Sequence, residues 1–417
     1  MPISLASDSI NPQIAGIQPE LYDPRLVLDS TEFRILGHNE RPTSKGTNIA
    51  CFTNPNHELH LVEKPIPKPG KGQVLLHVKA SGICGSDCHF WKHGRIGDTM
   101  VVRDEHGLGH ESAGEVIEVG EGVTKWVKGD RVAIEAGVPC SKPSCEFCRS
   151  GRYNACPDVI FFSTPPYHGL LSRFHVHPSA WLHPLPENLT FEEGALVEPL
   201  AVALAGIERA KLALGDPLLI CGAGPIGEQG GQTTFTLPGI SMMLGCLGII
   251  TLLASRAAGA EPIAITDLDA SRLDFAKSLV PSVKTVQVLR DETGKETADR
   301  VKDTLRMLPR IAIECTGVES SVHTAIYSVK FGGLVFVIGV GKEIQNIPFM
   351  HLSAHEIDMK YQYRYAEQYP KAIRLISAGL INVRPLVTHR YALEDSLQAF
   401  ETAADYSKGS IKVQIVD

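Results

Sequence analysis

Short strand-like runs, in which apolar and polar positions alternate, dominate the chain from Asn48 to about residue 190. Examples are QVLLHVKASGICG and SAGEVIEVGEGVTKWVKGDRVAIE, and glycine interrupts both. Such punctuation is typical of a small barrel or sandwich of short strands. Residues 1–45 show no clear periodicity and contain several turn formers. We therefore predict a β-rich domain that follows a mobile N-terminal extension.

The pattern of apolar positions changes near Phe191. FEEGALVEPLAVALAGIERA predicts a helix, and DPLLICGAG is an apolar strand that ends in glycine. AEPIAITDLD, RIAIECTG and GGLVFVIGV are further apolar strands that alternate with helical segments. This alternation predicts a doubly wound parallel sheet. From about Gln345 the character is mixed again, and the sequence closes with the strand IKVQIVD.

Length and charge narrow the class of protein. The 417 residues suggest two or three domains. The net charge of −7 gives no reason to expect nucleic acid or an anionic membrane as a partner. The first residues, MPISLASDSINPQIAG, have neither a basic segment nor an apolar core of a secretory signal. We therefore expect a cytosolic protein.

Two short segments, GICGSDCHFW and LGHESAGEV, contain candidate metal ligands. Cys84 follows a glycine-containing turn, and His110 and Glu111 are adjacent. A thiolate, an imidazole and a carboxylate, with water in the fourth position, form an open tetrahedral zinc site. An open position lets the metal act as a Lewis acid. Each residue alone more often has a structural or surface role, so this assignment depends on the rest of the chain.

Four of the ten cysteines lie in one loop, PCSKPSCEFCRSGRYNAC, with the spacing C-x4-C-x2-C-x7-C. In a reducing compartment, clustered cysteines are more often metal ligands than disulfides. All-cysteine ligation is typical of closed structural zinc sites. We therefore predict a second zinc, bound by Cys140, Cys145, Cys148 and Cys156.

A glycine-rich turn follows the apolar strand LLIC. Its sequence, GAGPIG, predicts a dinucleotide-binding turn, in which the pyrophosphate meets a helix N-terminus. The fingerprint also requires an acidic residue about 20 positions later for the ribose hydroxyls. Asp267 is the candidate, but it lies 40 residues beyond Gly227. The predicted cofactor-binding residues of the turn are Gly222, Gly224, Pro225, Ile226 and Gly227.

The long gap is explained if Glu228–Gly248 is an insertion. Removing these 21 residues leaves 40 − 21 = 19 positions between Gly227 and Asp267 and joins the turn to IITLLASRAAGA. We interpret the inserted text, EQGGQTTFTLPGISMMLGCLG, as a retained intron that is translated in frame, with a lineage-specific loop as the alternative. A membrane span over Phe235–Ala254 is disfavoured because proline and glycine interrupt it and no basic flank marks a cytoplasmic side.

The motifs taken together resemble one family. GICGSDCHFW, GHESAGEV, the cysteine loop, EEGALVEPLAVAL, GAGPIG, ITDLD, ECTG and FGGLVFVIGV occur in the order found in zinc-containing medium-chain dehydrogenases of the polyol branch. The resemblance implies an α/β protein with a GroES-like β-rich catalytic domain and a Rossmann doubly wound parallel-sheet domain. The implied domains are residues 46–203 with 345–417 for catalysis, and 204–344 for NAD, with the insertion at 228–248.

The resemblance also implies roles for individual residues. Cys84, His110 and Glu111 match the ligands of the catalytic zinc, and Glu198 matches a glutamate beside the zinc-bound water. Ser86 and His89 match the proton relay. Phe90, Arg364 and Tyr365 are the expected substrate contacts, and Arg272 is a further expected cofactor contact. Helix-start charge for Glu198 and a plain ion pair for Arg364 remain alternatives.

The expected function is oxidation of a secondary alcohol of a sugar alcohol to a ketose by an NAD-dependent zinc enzyme with two zinc ions per chain. The resemblance favours L-arabinitol, giving L-xylulose, with xylitol or sorbitol as alternatives. It also implies a homotetramer and a small-molecule polyol as the partner. NAD is expected over NADP because Asp267 would repel a 2′-phosphate. The alternative of another class is a non-functional zinc-binding product whose cofactor site is disrupted by the insertion.

Overall fold

The structure is a computed structural model of the chain. It describes residues 33–37, 40, 42, 47–222 and 245–417. Nearly all of the N-terminal extension, and residues 223–244, therefore lie outside the described part. Two large sheets organise the described residues, one mostly antiparallel and one entirely parallel.

The first part of the chain forms short strands, as its alternating pattern predicted. The strands are β1 Arg34–Ile35, β2 Asn48–Thr53, β3 Leu59–Lys64, β4 Gln73–Gly82, β5 Arg95–Ile96, β6 Met100–Val101, β7 His106–Gly107, β8 Glu111–Val119, β9 Arg131–Ile134, β10 Gly137–Val138, β11 Ile160–Phe161, β12 Phe174–Pro178 and β13 Leu182–Pro184. The helices are α1 Gly85–His93, α2 Glu146–Arg149, α3 Phe191–Ala195 and α4 Val197–Arg209.

The later part of the chain alternates strands with helices. The strands are β14 Leu218–Cys221, β15 Ile263–Asp267, β16 Lys284–Gln287, β17 Ile311–Glu314, β18 Leu334–Val337, β19 Asp358–Tyr361, β20 Val387–Ala392 and β21 Lys412–Val416. The helices are α5 Gly245–Ala257, α6 Ala270–Leu279, α7 Gly294–Leu305, α8 Glu319–Ser328, α9 Phe349–Ala354, α10 Tyr369–Ser377 and α11 Ser396–Ala404.

A seven-stranded sheet joins the two ends of the chain. Its order is β13-β9-β8-β4-β21-β20, and β12 pairs with β4. Strands β20 and β21 come from the C-terminal part, so the β-rich domain is built from both ends, as the resemblance implied. The antiparallel register of β4 and β8 sets Gly82 opposite Glu111. This pairing places the predicted zinc ligand Glu111 at the end of the sheet where α1 begins.

The parallel sheet has the order β16-β15-β14-β17-β18-β19. Strands β14, β15 and β17 are buried throughout, which explains their continuous apolar sequences. The strand order reverses at β14, and ligands of open parallel sheets bind beside such a switch point. Since β19 pairs with β18, this sheet extends to Tyr361, beyond the boundary at residue 344 that the sequence suggested.

Helix α5 changes the limits of the predicted insertion. The sequence analysis assigned residues up to Gly248 to the insertion, but Gly245–Gly248 belong to α5. Cys246 is 2% exposed, and Leu247 packs against the main core together with Ile249 and Ile250. Apolar packing therefore makes the last four residues of the presumed insertion part of the fold. Residues 228–244 of that insertion lie outside the described residues.

The apolar segment Phe235–Ala254 was also weighed as a membrane span. Its residues 235–244 fall outside the described part, and the remainder is the first ten residues of α5. Among the residues that the structure describes, no helix is long and apolar enough to cross a bilayer.

Candidate active site

Three predicted zinc ligands meet at one end of the seven-stranded sheet. Cys84 immediately precedes α1, His110 immediately precedes β8, and Glu111 is the first residue of β8. Their ligand atoms all lie within 4.8 Å of one another. His110 and Glu111 are buried, whereas Cys84 is partly exposed. A thiolate, an imidazole and a carboxylate at this separation suit tetrahedral zinc with one open position.

Asp87 organises this site, although the sequence analysis did not select it. Its Oδ1 lies 3.4 Å from His110 Nδ1 and accepts hydrogen bonds from Gly109 N–H and Ser163 Oγ. Its Oδ2 accepts the Cys84 backbone N–H at 2.9 Å. Burial alone would raise the pKa of Asp87, but the charge of His110 and these hydrogen bonds hold it below its usual value. Asp87 therefore orients two ligands. Its position three residues after Cys84, at the start of a helix, was the available signal.

Lys412 is the second residue that the sequence analysis missed. Its Nζ donates to both carboxylate oxygens of Glu111, at 2.8 and 2.7 Å, and to Ile83 O at 3.1 Å. Both charged side chains are almost fully buried. Gly82 provides the space for this pair, because a Cβ there would lie 2.1 Å from Glu111 Oε2. A lysine within the apolar strand IKVQIVD was the signal for a buried ion pair.

Of the two predicted proton-handling residues, Ser86 lies beside a zinc ligand. Ser86 Oγ is 3.4 Å from His110 Nε2. His89 lies on α1, and its ring centroid is 5.2 Å from that of His93. Burial, followed by the charge of His93, lowers the pKa of His89 to about 4. His89 is therefore neutral, and a weak base, at pH 7.

Glu198 lies in the first turn of α4 and is 5% exposed. It is not within the compact set formed by Cys84, His110 and Glu111. Burial raises its pKa to about 7, and the carboxylate of Glu111 acts in the same direction. The charges of His110 and Glu111 both act on this carboxyl group, with His110 lowering its pKa and Glu111 raising it.

The three predicted substrate contacts have different surroundings. Arg364 stacks on Phe161, with 3.5 Å from its guanidinium carbon to the ring centroid, and donates to Thr164 Oγ1 at 2.9 Å. Tyr365 is 3% exposed, and its ring lies 5.4 Å from that of Tyr369. Phe90 is only 2% exposed and belongs to a core cluster. A substrate contact by any of the three stays a prediction.

The four-cysteine loop is compact. Cys140 Sγ is 3.8 Å from Cys148 Sγ, and Cys145 Sγ is 4.0 Å from Cys156 Sγ. Four sulfurs at about 2.3 Å from one zinc would be separated by roughly 3.8 Å in a tetrahedron. The observed distances fit this value, and all four ligand atoms lie within 4.8 Å of one another. The four residues between Cys140 and Cys145 are therefore compatible with binding of all four cysteines to one zinc ion.

The predicted cofactor residues are only partly described. Gly222 follows β14 with a φ of 88°, and Asp267 ends the neighbouring strand β15. Asp267 is 1% exposed, and its Oδ1 accepts the Asp269 N–H at 2.7 Å. Arg272, in the first turn of α6, is 3% exposed. The other predicted residues of the turn, which are Gly224, Pro225, Ile226 and Gly227, lie outside the described residues.

Two protein-family models match this chain, one in the β-rich part and one in the parallel-sheet part. An alcohol dehydrogenase GroES-like domain matches residues 70–187, and a zinc-binding dehydrogenase domain matches residues 246–378. L-arabinitol 4-dehydrogenase of Aspergillus oryzae is 51% identical over 386 residues, covering 88% of this chain and 94% of the relative. The chain belongs to the zinc-binding dehydrogenase family. This dehydrogenase also resembles sorbitol dehydrogenase of Mus musculus, with 43% identity over 360 residues, 86% of this chain and 94% of the relative.

Solved structures support the same family and fold. An Escherichia coli oxidoreductase of unknown specificity is 34% identical, with a TM-score of 0.77, covering 89% of this dehydrogenase and 99% of that chain. L-idonate 5-dehydrogenase of Escherichia coli is 25% identical, with a TM-score of 0.76, covering 89% and 98% of the two chains. These likenesses confirm the predicted GroES-like and Rossmann architecture. Zinc and NAD are the cofactors of this dehydrogenase, as expected.

Proposed function

We propose that this dehydrogenase oxidises L-arabinitol to L-xylulose. The observation that supports this proposal is the cluster of Cys84, His110 and Glu111, whose ligand atoms lie within 4.8 Å of one another. Relatives named L-arabinitol 4-dehydrogenase, which are 48–51% identical over 88–90% of the chain, favour this substrate. Sorbitol is the second candidate, because relatives named sorbitol dehydrogenase are 42–43% identical. Xylitol remains an alternative within the same chemical class.

The reaction removes a hydride from the carbinol carbon and a proton from its hydroxyl. Bound zinc would supply Lewis acidity to the substrate hydroxyl, and bound NAD⁺ would accept the hydride. Cys84, His110 and Glu111 would hold the zinc. Ser86 Oγ, which lies near His110, would accept the hydroxyl proton as it passes its own proton to His89. The low pKa of His89, about 4, keeps its imidazole neutral at pH 7, so His89 would hold the proton only transiently and pass it on to solvent.

Arg364 would bind further hydroxyls of the polyol. Its guanidinium is held in place by Phe161 and Thr164, so its free donors are oriented before substrate arrives. Replacing Arg364 by lysine would keep the charge but lose the planar stack. We expect this change to raise KM for the polyol by about tenfold, with a smaller effect on NADH binding.

Preference for NAD over NADP is supported by Asp267. Its carboxyl group lies at the end of β15, next to the switch point, where it would accept from ribose hydroxyls and repel a 2′-phosphate. Arg272 is near in sequence, and its Nη2 donates to Ser410 O at 3.5 Å. We assign it to the same cofactor site.

We also propose a homotetramer in the cytosol. Strand β19 is the edge of the parallel sheet, and large apolar side chains are exposed on it and on α9, including Tyr361 at 60%, Phe349 at 68% and Met350 at 71%. Such an edge is suited to pairing with a second copy. The free thiols of all ten cysteines support a reducing compartment. Light scattering at micromolar concentration tests the assembly, and a monomer would contradict it.

A polyol panel with purified zinc-loaded protein tests the function. We expect the highest kcat/KM with L-arabinitol and NAD⁺, and a lower value for xylitol and sorbitol. Cys84→Ser should abolish turnover while the zinc of the four-cysteine loop is retained. A higher kcat/KM for sorbitol would make the second candidate correct. No turnover of any polyol by a protein with both zinc ions and bound NADH would contradict the proposal.

A further inference from the structure

Two of the Gly-x-x-Gly segments between Gly222 and Asp267 are followed by sequence that could continue a dinucleotide-binding turn. They are Gly224-Pro-Ile-Gly227 and Gly245-Cys-Leu-Gly248, separated by 245 − 224 = 21 residues. The segments differ in their distance from Asp267, which is 267 − 227 = 40 for the first and 267 − 248 = 19 for the second. The dinucleotide-binding fingerprint requires about 20 residues. The second segment therefore meets the spacing with no residue removed.

The second segment, Gly245–Gly248, forms the first turn of helix α5 in the structure. Helix α5 includes Gly245 and continues without interruption to Ala257. Its Ile249, Ile250 and Leu252 are fully buried in the main core. The helix packs against both α4 and strand β14, which Gly222 follows. It therefore occupies the place between strands β14 and β15 where a parallel fold positions its first crossover helix.

Cys246, in the first turn of α5, lies within electrostatic range of two catalytic zinc ligands. Cys246 is 2% exposed, and burial raises the pKa of its thiol to about 12. Lys412 and the zinc ligands Glu111 and Cys84 are among the groups whose charges act on this thiol. A nicotinamide must lie next to the zinc site to receive a hydride from a zinc-bound alcohol. The start of α5 is thus within electrostatic range of the groups beside which the nicotinamide must lie.

Two further observations agree with this placement. The zinc-binding dehydrogenase model matches from residue 246, so the family pattern includes Cys246–Gly248 rather than beginning after them. Arg272 also points to a ligand. It is 3% exposed, and among the described residues its Nε and Nη1 make no hydrogen bond, although Nε lies 3.8 Å from Asp269 Oδ2. A buried guanidinium with donors to spare suits an anionic or hydroxyl-rich cofactor.

We propose that Gly222, Gly245 and Gly248 hold the pyrophosphate of NAD in this chain, and that Gly224 and Gly227 do not. Glycine in the first turn lets the pyrophosphate approach the backbone N–H groups, where the helix dipole favours an anion. The inference rests on the cofactor of the proposed function, but it does not depend on which polyol is oxidised. It implies that the chain as written binds NAD without losing the residues after Gly227.

A matched pair of substitutions tests the proposal. Valine is placed at Gly248 or at Gly227 in the full chain, and NADH affinity is measured by fluorescence titration of zinc-loaded protein. We expect Gly248→Val to weaken NADH binding by about tenfold or more, because the third glycine of the fingerprint allows close helix–strand packing and a side chain there would displace the helix N-terminus that meets the pyrophosphate. Gly227→Val should change the affinity by less than about twofold. Loss of affinity in Gly227→Val, with Gly248→Val unaffected, would overturn the proposal, as would equal losses in both.

Two deletion proteins keep the test decisive if Gly248→Val does not fold. Deleting residues 224–244 leaves GAGCLGIITLL, and deleting 228–248 leaves GAGPIGIITLL. We expect the full chain and the protein lacking 224–244 to bind NADH with similar affinity. A full chain that binds no NADH, beside a protein lacking 228–248 that does, would overturn the proposal. Bound NADH without polyol turnover would contradict the proposed function and leave this inference intact.

Discussion

Lys412 Nζ lies 2.7 Å from Glu111 Oε2 within a site where both side chains are almost completely buried. The two residues are 301 positions apart in the chain. The lysine reaches the carboxylate because β21 pairs with β4, and β4 pairs with β8. A buried carboxylate is strongly destabilised without a partner. Lys412 therefore sets the position and charge of a predicted zinc ligand.

Lys412→Met should weaken the catalytic zinc site. Loss of a partner that orients a metal ligand typically costs about 10–100-fold in metal affinity or activity. We expect the zinc content to fall from about two to about one per chain after mild chelation, with turnover reduced in proportion. Metal analysis checks this result. Lys408→Met, at an exposed position, is the control and should keep both ions. Two retained zinc ions in Lys412→Met would contradict the positioning role.

Gly82→Ala should affect the same ligand from the opposite side. A Cβ at this position would lie 2.1 Å from Glu111 Oε2, which forces the carboxylate or the strand to move. We expect zinc loss and at least a tenfold fall in kcat/KM, as for other disturbed metal ligands. Zinc in the four-cysteine loop is the internal control, because that loop does not contact Gly82. Unchanged activity would show that Glu111 tolerates displacement.

Replacing Cys140 and Cys145 by serine should remove the second zinc. Each serine removes a thiolate from the tetrahedral set, and a closed zinc site contributes to folding free energy. We expect one zinc per chain and a lower melting temperature, measured by metal analysis and calorimetry. A zinc content equal to that of the unmodified chain would show that no structural site exists in this loop.

Asp267→Ser should relax the preference for NAD. Removing the carboxylate takes away the repulsion of a 2′-phosphate and an acceptor for the ribose hydroxyls. We expect the ratio of kcat/KM values for NAD⁺ and NADP⁺ to fall by about tenfold or more, mainly through KM. Comparable activity of the unmodified enzyme with both cofactors would exclude this role for Asp267.

Asp417 should make the free energy of unfolding fall as the pH is lowered into the acidic range. Its carboxylate accepts from Arg173 Nε and Nη2, both at 2.8 Å, and lies 2.8 Å from His77 Nε2. Burial would raise its pKa, but the contacts with His77 and Arg173 hold it well below its usual value. Since the folded-state pKa is depressed, this stabilisation is complete above the unfolded-state value of about 3.9 and is lost as pH falls further.

The measurement compares the free energy of unfolding of Asp417→Asn with that of the unmodified chain at each pH. Zinc release at low pH affects both proteins and therefore cancels in the difference. We expect Asp417→Asn to reduce the free energy of unfolding by about 1–2 kcal/mol at pH 6, with the difference narrowing below about pH 4. Asp98→Asn, which alters an exposed ion pair with Arg95, should have little effect. A difference that stays constant down to pH 3 would contradict the assignment to Asp417.

The sequence alone determined those features that depend on neighbouring residues. The spacing of Cys140, Cys145, Cys148 and Cys156 predicted their common centre because a short loop can close around one ion. Adjacent His110 and Glu111 likewise stay close in any fold. Short strand-like runs and continuous apolar runs predicted a β-rich domain and a doubly wound parallel sheet, because periodicity reports which faces are buried. Family resemblance then supplied the architecture that the comparisons confirm.

Only the tertiary structure decided which distant groups meet. Lys412 binds the carboxylate of Glu111, and Gly82 lies opposite Glu111 in the sheet. Both contacts depend on strand pairing and register, which local sequence does not encode. The extension of the parallel sheet to β19 was missed for the same reason. Sequence spacing also drew the insertion through Gly248, whereas the structure packs Cys246 into the core. The burial of Ile249, Ile250 and Leu252 makes Gly245–Gly248 the start of α5, which the spacing of glycines in the sequence did not reveal.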